Sequence, residues 1–530
     1  MNLATIVGHV GGRCKGESEE QAGWHQGPVK SKVIKKRARA HVAGMLKGLD
    51  IENDTRTLDQ VEQELIGSVG ILARLLITFH LARREEENEK RVESWVRRGF
   101  RRCKKQRKFV NTIFGRVCFW RTYVRRGEGK GLHPLDKDLE ITADGFSRSV
   151  LSMAARLSTL VPYEQVTALM LYFLSWSPSK TTVEKSVLGF GRFTQEWFAE
   201  APAPDNDGEV LITQIDCKAT PTATEEELEK RRGKRERKPA LSPRHRGRAK
   251  RARRGERRRR KKGDKSKNGK AATVVIQYTL KIARDDEGES ILLGPRNKRV
   301  YASYAPKRHA FAVARREADK RGFTKESGKR HQVVTDGDED FERLTKEFFP
   351  EATHTLDIIH VLEYVWEAGR FRHREESKEL ARWVKKQEKL LYDGKAALVV
   401  QHICDLKREV KKACDRLDKI RMYLQNRLSM MKYDELRKED LEVASGVVEG
   451  GVRHIVAKRF DNGSMRWIRE RAEALLQLRC IEINGDWEAF EEFVRRRLWR
   501  SAPPESIPRL LTTKPQPLPP SDVNPCNQAA

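Results

Sequence analysis

Three acids stand where folding alone does not ask for them. Asp216 closes the apolar run VLITQIDCK, Asp336 closes QVVTDGD, and Glu449 lies inside LEVASGVVEGGVRHIVAKRF. Carboxylates at strand ends and a helix start can converge at one sheet edge, where they repel unless a cation sits between them. Oxygen donors of this kind suit a hard divalent ion such as Mg²⁺, which takes one or two carboxylates and keeps several waters. Two such ions about 4 Å apart activate an attacking oxygen and stabilise a leaving one in phosphoryl transfer. Gly337 after Asp336, and Gly450 and Gly451 after Glu449, would allow close backbone approach.

The elements that must hold these acids follow from periodicity. From Ser445 onward, Val448, Val452, Ile455, Val456 and Phe460 recur at steps of three and four, which predicts a helix. At roughly 100° per residue, Glu449 then falls among Val452, Val456 and Phe460 on the apolar face. The glycines beside it each cost about 1 kcal/mol in a helix. Upstream, VLITQIDCK, ATVVIQYTLKI (272–282), NKRVYASYA (297–305), QVVTDGD (332–338) and THTLDIIH (353–360) read as strands, with helices between the later ones. That alternation predicts a mixed α/β sheet over 208–360, closed by a final helical part over 441–490. The charged stretch 361–440 reads as an inserted helical unit.

The N-terminal half is organised differently. Residues 1–30 read as a flexible N-terminus, and 31–147 as mainly helical with a short β element in KFVNTIFGRVCFWRTYVRR. Over 148–200, VPYEQVTALMLYFL, SWSPSK and TTVEKSVLGFGRFTQEWF read as helix, turn, helix. The block is either a DNA-reading helix-turn-helix or an ordinary helical hairpin. The Pro-rich end, 501–530, predicts a disordered tail.

Charge narrows the partners. Over 530 residues, 107 Lys and Arg outnumber 76 acids, for a net charge of +31. Between Lys230 and Lys270, 23 Lys/Arg face 3 acids, so 41 residues carry +20 of that charge. This insert, with Arg257, Arg258, Arg259 and Arg260 at its densest point, predicts phosphate contact through counterion release. Eight cysteines with no C-x-x-C pair argue for free thiols in a reducing cytosol. The N-terminus lacks a convincing signal peptide, and no run of eighteen apolar residues argues for a membrane.

Two further groups could serve the acids. Asp357 and His360 in LDIIHVLE are candidate accessory residues, with Glu363 one helical turn on from the histidine; a packed histidine is the alternative. Arg453, His454 and Arg459 follow Glu449 and could hold phosphate, while Trp467 reads as core.

The stretches VVTDGDEDFERLTKEFFPEATHTLDIIHVLEYVWEAGR (333–370) and YLQNRLSMMKYDELRKEDLEVASGVVEGGVRHIVAKRFDNGSMRWIRERAEALLQLRCIEINGDWEAF (423–490) carry a resemblance. They resemble the DDE transposases of bacterial insertion sequences, specifically the ISKra-type family. Weaker similarity extends it over most of 105–495. The resemblance implies a ribonuclease H-like catalytic domain in which Asp216, Asp336 and Glu449 are the catalytic, metal-binding triad, with two Mg²⁺ or Mn²⁺ ions as cofactor. It implies that the glycines after Glu449 admit metal or DNA. The family pattern has glycine after the first acid, where this chain has Cys217.

The expectation is therefore a DNA transposase of the bacterial cytosol. It would cleave phosphodiesters at element ends and transfer strands into target DNA. Its partners would be double-stranded DNA and further copies of itself on that DNA, with no membrane. The rival expectations are a catalytically silent DNA-binding descendant and a nuclease of the same fold acting on RNA.

Overall fold

The computed structural model describes residues 27–52, 54–127, 129, 131–223, 269–284, 290–409, 414–461 and 465–520. Most of the basic insert, Arg257 to Arg260 included, lies outside them. The chain divides into two compact units, the first of residues 1–193 with 486–515, the second of 194–485 with 516–530.

The first unit opens with a helical hairpin, α1 (Ser31–Leu49) and α2 (Leu58–Glu86). A capping box starts α2: Thr57 and Gln60 each accept the other's backbone N–H. Helix α3 (Glu89–Arg97) leads into the antiparallel strands β1 (Arg101–Thr112) and β2 (Gly115–Arg125). Leu81 of α2 packs with Val110, Val117 and Phe119 of the strands. Short α4 (Pro134–Asp138) carries the buried Asp136, which pairs with Lys108 at 3.0 Å and Arg121 at 2.8 Å.

Helices α5 (Arg148–Leu160), α6 (Tyr163–Leu174) and α7 (Lys180–Gly191) complete the 148–193 block. Residues 186–191 of α7 are all buried, and only residues 180–182, 184 and 185 are exposed or half-buried. The C-terminal segment crosses it: a Cβ on Gly189 would lie 2.3 Å from the Leu510 carbonyl. Residues 501–515 were expected in a disordered tail. Instead Leu510 is fully buried, its N–H donates to Asp144 at 2.7 Å, and the Pro508 carbonyl accepts from Ala143. A few hydrogen bonds and one buried leucine outweigh a composition that reads as loose.

The second unit is mixed α/β. After α8 (Thr194–Glu200), strands β3 (Val210–Ala223), β4 (Gly269–Arg284) and β5 (Ser290–Ser303) form an antiparallel run. Helix α9 (Lys307–Lys320), β6 (Arg330–Thr335), α10 (Glu339–Phe348) and β7 (Thr353–Leu356) follow. The spatial order is β5-β4-β3-β6-β7, with β6 parallel to β3 and β7 parallel to β6. Val210 to Ile215 are buried on both faces, as a central strand covered on each side requires. On one face Leu211 and Ile215 join Phe311, Val313 and Phe341 of α9 and α10 in a single apolar cluster.

Beyond β7 the chain is helical: α11 (Ile358–Gly369), α12 (Lys378–Tyr392), α13 (Ala396–Glu409), α14 (Cys414–Gln425) and α15 (Tyr433–Lys438). It then returns to the sheet through α16 (Gly446–Val452). A π-helical turn, Arg453–Ala457, succeeds α16, and α17 (Arg469–Ile483) closes the unit against β5. There Asn484 exchanges hydrogen bonds with the Val300 backbone, and the buried Glu473 accepts from Ser303 and Tyr304 at 2.6 Å.

Candidate metal centre at the strand ends

Strand register places the acids. Ile215 of β3 pairs with Thr335 of β6, and Thr335 pairs with Leu356 of β7. The next residue on each strand is an acid, so Asp216, Asp336 and Asp357 stand in one row. Asp336 and Asp357 follow the ends of β6 and β7, whereas Asp216, expected to close its strand, lies midway along β3, which runs on to Ala223 paired with β4 after its parallel pairing with β6 stops. Side chains alternate along a strand, so Gln214 shares a face with Asp216 and Gln332 shares one with Asp336. Both glutamines are fully buried, and both face the segment that carries Glu449. Gln214 accepts from the Val448 N–H at 2.9 Å; Gln332 accepts from the Glu442 N–H at 3.1 Å and donates to the Glu442 carbonyl at 2.7 Å. The two amides dock residues 442–448 on the face that holds the acids.

Glu449 itself is exposed, which corrects the expectation of a buried stripe. Val448, Val452, Ile455, Val456 and Phe460 are all buried, as the periodicity predicts. The π turn after α16 inserts extra residues per turn, so a constant 100° step carried from Val456 and Phe460 back to Glu449 overruns. The glutamate lies at the solvent edge, facing the row of acids rather than the core. Gly451 is explained by packing: a Cβ there would meet Ile276 Cδ1 of β4 at 2.2 Å, whereas Gly450 has open space. Helix-to-sheet contact, not room for metal or DNA, requires the glycine at 451.

The electrostatics tie the acids into one group. Burial pushes the Asp216 carboxyl up to about 6, and the carboxylates of Asp336 and Glu449 push the same way. The Cys217 N–H, 2.5 Å from Asp216 Oδ1, and His360 oppose that shift. Burial also raises Glu449, with Asp357 and Glu363 adding repulsion and His360 offsetting it. Such mutual repulsion is what a divalent cation relieves.

Asp357 plays a different part from its neighbours. It is fully buried, and its two oxygens accept four hydrogen bonds. Oδ1 takes the N–H groups of Ile359 (3.1 Å) and Ser445 (3.0 Å); Oδ2 takes the Ser445 hydroxyl and His360 Nδ1, each at 2.6 Å. Its hydrogen bond to Asp357 raises His360 to about 9, so the imidazole is held as a cation. Ser445 in turn starts α16, since its carbonyl accepts the Glu449 N–H at 3.0 Å. Asp357 thus fixes His360 on one side and the Glu449 helix on the other. Among the described residues, the ligand atoms of Asp357, His360 and Glu449 lie within 4.8 Å of one another, a grouping that does not include Asp216 or Asp336.

Two tyrosines of the inserted helices reach the same strand ends. The Tyr423 hydroxyl of α14 donates to the Asp336 carbonyl at 2.6 Å, and the Tyr433 hydroxyl of α15 donates to the Leu356 carbonyl at 2.8 Å. Gly337, at φ +76°, lies under Tyr423, whose hydroxyl a Cβ would approach to 2.4 Å. The Tyr364 ring, tilted by 38°, and the Arg427 guanidinium lie against the Tyr423 ring at 4.3 and 4.4 Å.

Sequence reasoning missed Gln214, Gln332, Ser445, Tyr423 and Tyr433. A glutamine inside an apolar run, as in ITQID and HQVVT, was the available signal for the first two, because a buried amide needs a partner. Of the phosphate candidates, Arg453 and His454 are exposed beside Glu449. Arg459 is buried with its guanidinium 4.9 Å from the Trp467 ring, which withdraws it from the phosphate-binding set.

No protein-family model and no curated protein matches the chain. Among solved structures it is similar to the Drosophila P element transposase strand transfer complex. The identity is 12%, over 67% of this chain and 97% of that one, with a TM-score of 0.27.

Proposed function

We propose that this chain is a DNA transposase of the DDE type, related to the ISKra-type insertion sequences, whose second unit is a ribonuclease H-like catalytic domain. The observation that carries the reading is the common row of Asp216 and Asp336 on adjacent parallel strands, with Glu449 docked on the same face. The strand order β5-β4-β3-β6-β7, with only β4 antiparallel to both of its neighbours, supports the fold assignment.

Asp216, Asp336 and Glu449 fit hard divalent cations by donor type and by mutual repulsion. Mg²⁺ or Mn²⁺ held there would supply activation of the attacking oxygen and stabilisation of the leaving one in phosphodiester cleavage and strand transfer. The chain's own contribution is positioning. Gln214 and Gln332 hold the Glu449 segment on the sheet, Asp357 anchors Ser445, and Tyr423 holds the Asp336 carbonyl. His360, kept protonated by Asp357, places a fixed positive charge beside the acids, where a phosphate would gain by it. Arg453 and His454 would meet DNA backbone from the exposed side of the π turn, and Arg257 to Arg260 would add contacts that do not read sequence.

The test is cleavage and strand transfer on DNA carrying the element's own ends, with Mg²⁺ or Mn²⁺, for wild type and Glu449→Gln. Metal-dependent products that fall at least a hundredfold in the variant, with DNA binding retained, are the expected result. Tight, salt-dependent DNA binding by wild type without any nicking would instead leave a DNA-binding protein without catalysis, and preferential cleavage of a matched RNA duplex would move the substrate to RNA.

A further inference from the structure

His360 brings a nitrogen donor to a row of carboxylates. It sits in the first turn of α11, and its Nδ1 is committed to Asp357 Oδ2 at 2.6 Å. The nitrogen left over is Nε2, which has no hydrogen bond to any described residue. The side chain is 27% exposed, so an ion from solvent can reach it. Glu449 is its neighbour: the ligand atoms of Asp357, His360 and Glu449 lie within 4.8 Å of one another. Among the described residues no hydrogen bond or ion pair engages the Glu449 carboxylate either, and none joins it to His360. Ligands held by one divalent ion at roughly 2.1 Å each stand up to about 4 Å apart, so a small rotation of the exposed glutamate closes the site.

Asp357 itself is not available as a ligand, because four hydrogen bonds occupy its oxygens. What it does is fix the ring. A carboxylate that holds one imidazole nitrogen aims the other at a metal and makes it a more basic ligand. We propose that His360 Nε2 and the Glu449 carboxylate bind the same divalent ion. The proposal rests on the cleavage reading and adds a nitrogen to a donor set otherwise made of oxygens. Asp216 and Asp336, which lie outside this grouping, remain for the companion ion. The imidazolium described above is the form without an ion. Binding releases its Nε2 proton to solvent, and the ion then supplies the positive charge. Selectivity follows, since a nitrogen donor favours first-row transition ions over Mg²⁺, which prefers oxygen.

The experiment is electron spin-echo envelope modulation of Mn²⁺ titrated up to two ions per full-length chain, without DNA. It compares wild type, His360→Gln and Glu449→Gln, with circular dichroism as a check on folding. Modulation from a directly bound imidazole nitrogen is expected in wild type and absent in His360→Gln. The affinity of that ion should fall at least about tenfold in each variant, and His360→Gln should lose most of the preference for Mn²⁺ over Mg²⁺ in competition. Bound Mn²⁺ without nitrogen modulation in wild type overturns the proposal yet leaves the acids as a metal site; this outcome needs no variant to fold. Modulation that persists in His360→Gln overturns it as well, and modulation undisturbed in Glu449→Gln shows that the two residues do not share an ion. No Mn²⁺ bound at millimolar concentration would overturn both this proposal and the metal-dependent reading it rests on.

Discussion

Asp357 shows how one side chain can govern a site without being its catalyst. Its four acceptor contacts leave neither oxygen free for another partner, and they join three segments: the end of β7, the first turn of α11 and the start of α16. Hydrogen bonds to a charged group are each worth about 1.5–3 kcal/mol, and an unsatisfied buried donor costs a similar amount. Asp357→Asn exchanges one acceptor for a donor that then faces Ser445 or His360. It should lower the stability of the second unit by about 2–3 kcal/mol, read as a shifted denaturation midpoint at unchanged slope. An unshifted midpoint would mean that these contacts contribute nothing net to folding.

At the scale of elements, the approach of α16 to the sheet is set by a missing side chain. Gly451 lies over Ile276, and any Cβ there runs into Cδ1. Gly451→Ala should therefore destabilise by about 1–3 kcal/mol, despite the better helix propensity of alanine. Ile276→Val removes the colliding methyl, so the double variant should recover most of that loss. A double variant no better than Gly451→Ala would show that the collision is not the cause. The same helix carries Glu449 one turn before the π turn, so a shift of α16 moves the glutamate relative to Asp216 and Asp336. The inserted helices bear on the site as well, through the Tyr423 and Tyr433 hydroxyls at the carbonyls of two acid-bearing strand ends.

At the scale of the molecule, buried histidines make the second unit acid-labile. Burial holds His331 down to about 3, and His309 and His354 to about 4. Each folded value lies below the unfolded value near 6.5, so the unfolded chain binds a proton that the folded chain refuses between those limits. Stability from these groups is complete above pH ~6.5 and is lost as pH falls toward 4 and 3. Melting temperature followed from pH 7.5 to 4 should drop, and replacing His331 by Gln should flatten the drop. A profile that is level across this range would exclude the mechanism.

The apolar runs, their terminal acids and the 3–4 spacing after Ser445 are local properties, so the sequence alone determined the strands, the helix and Asp216, Asp336 and Glu449 as candidates. The β1–β2 hairpin was equally legible, because alternation and β-branched or aromatic residues bear on short segments. Which acids become neighbours was decided only by tertiary structure. The pairing of β3 with β6 joins residues about 120 positions apart, and no local pattern encodes that register. The π turn that frees Glu449 from the core, the buried glutamines that dock its helix and the seating of Leu510 across α7 also rest on contacts between distant segments. A helical wheel assumes one period throughout and a composition rule sees no partner, so neither could have found them.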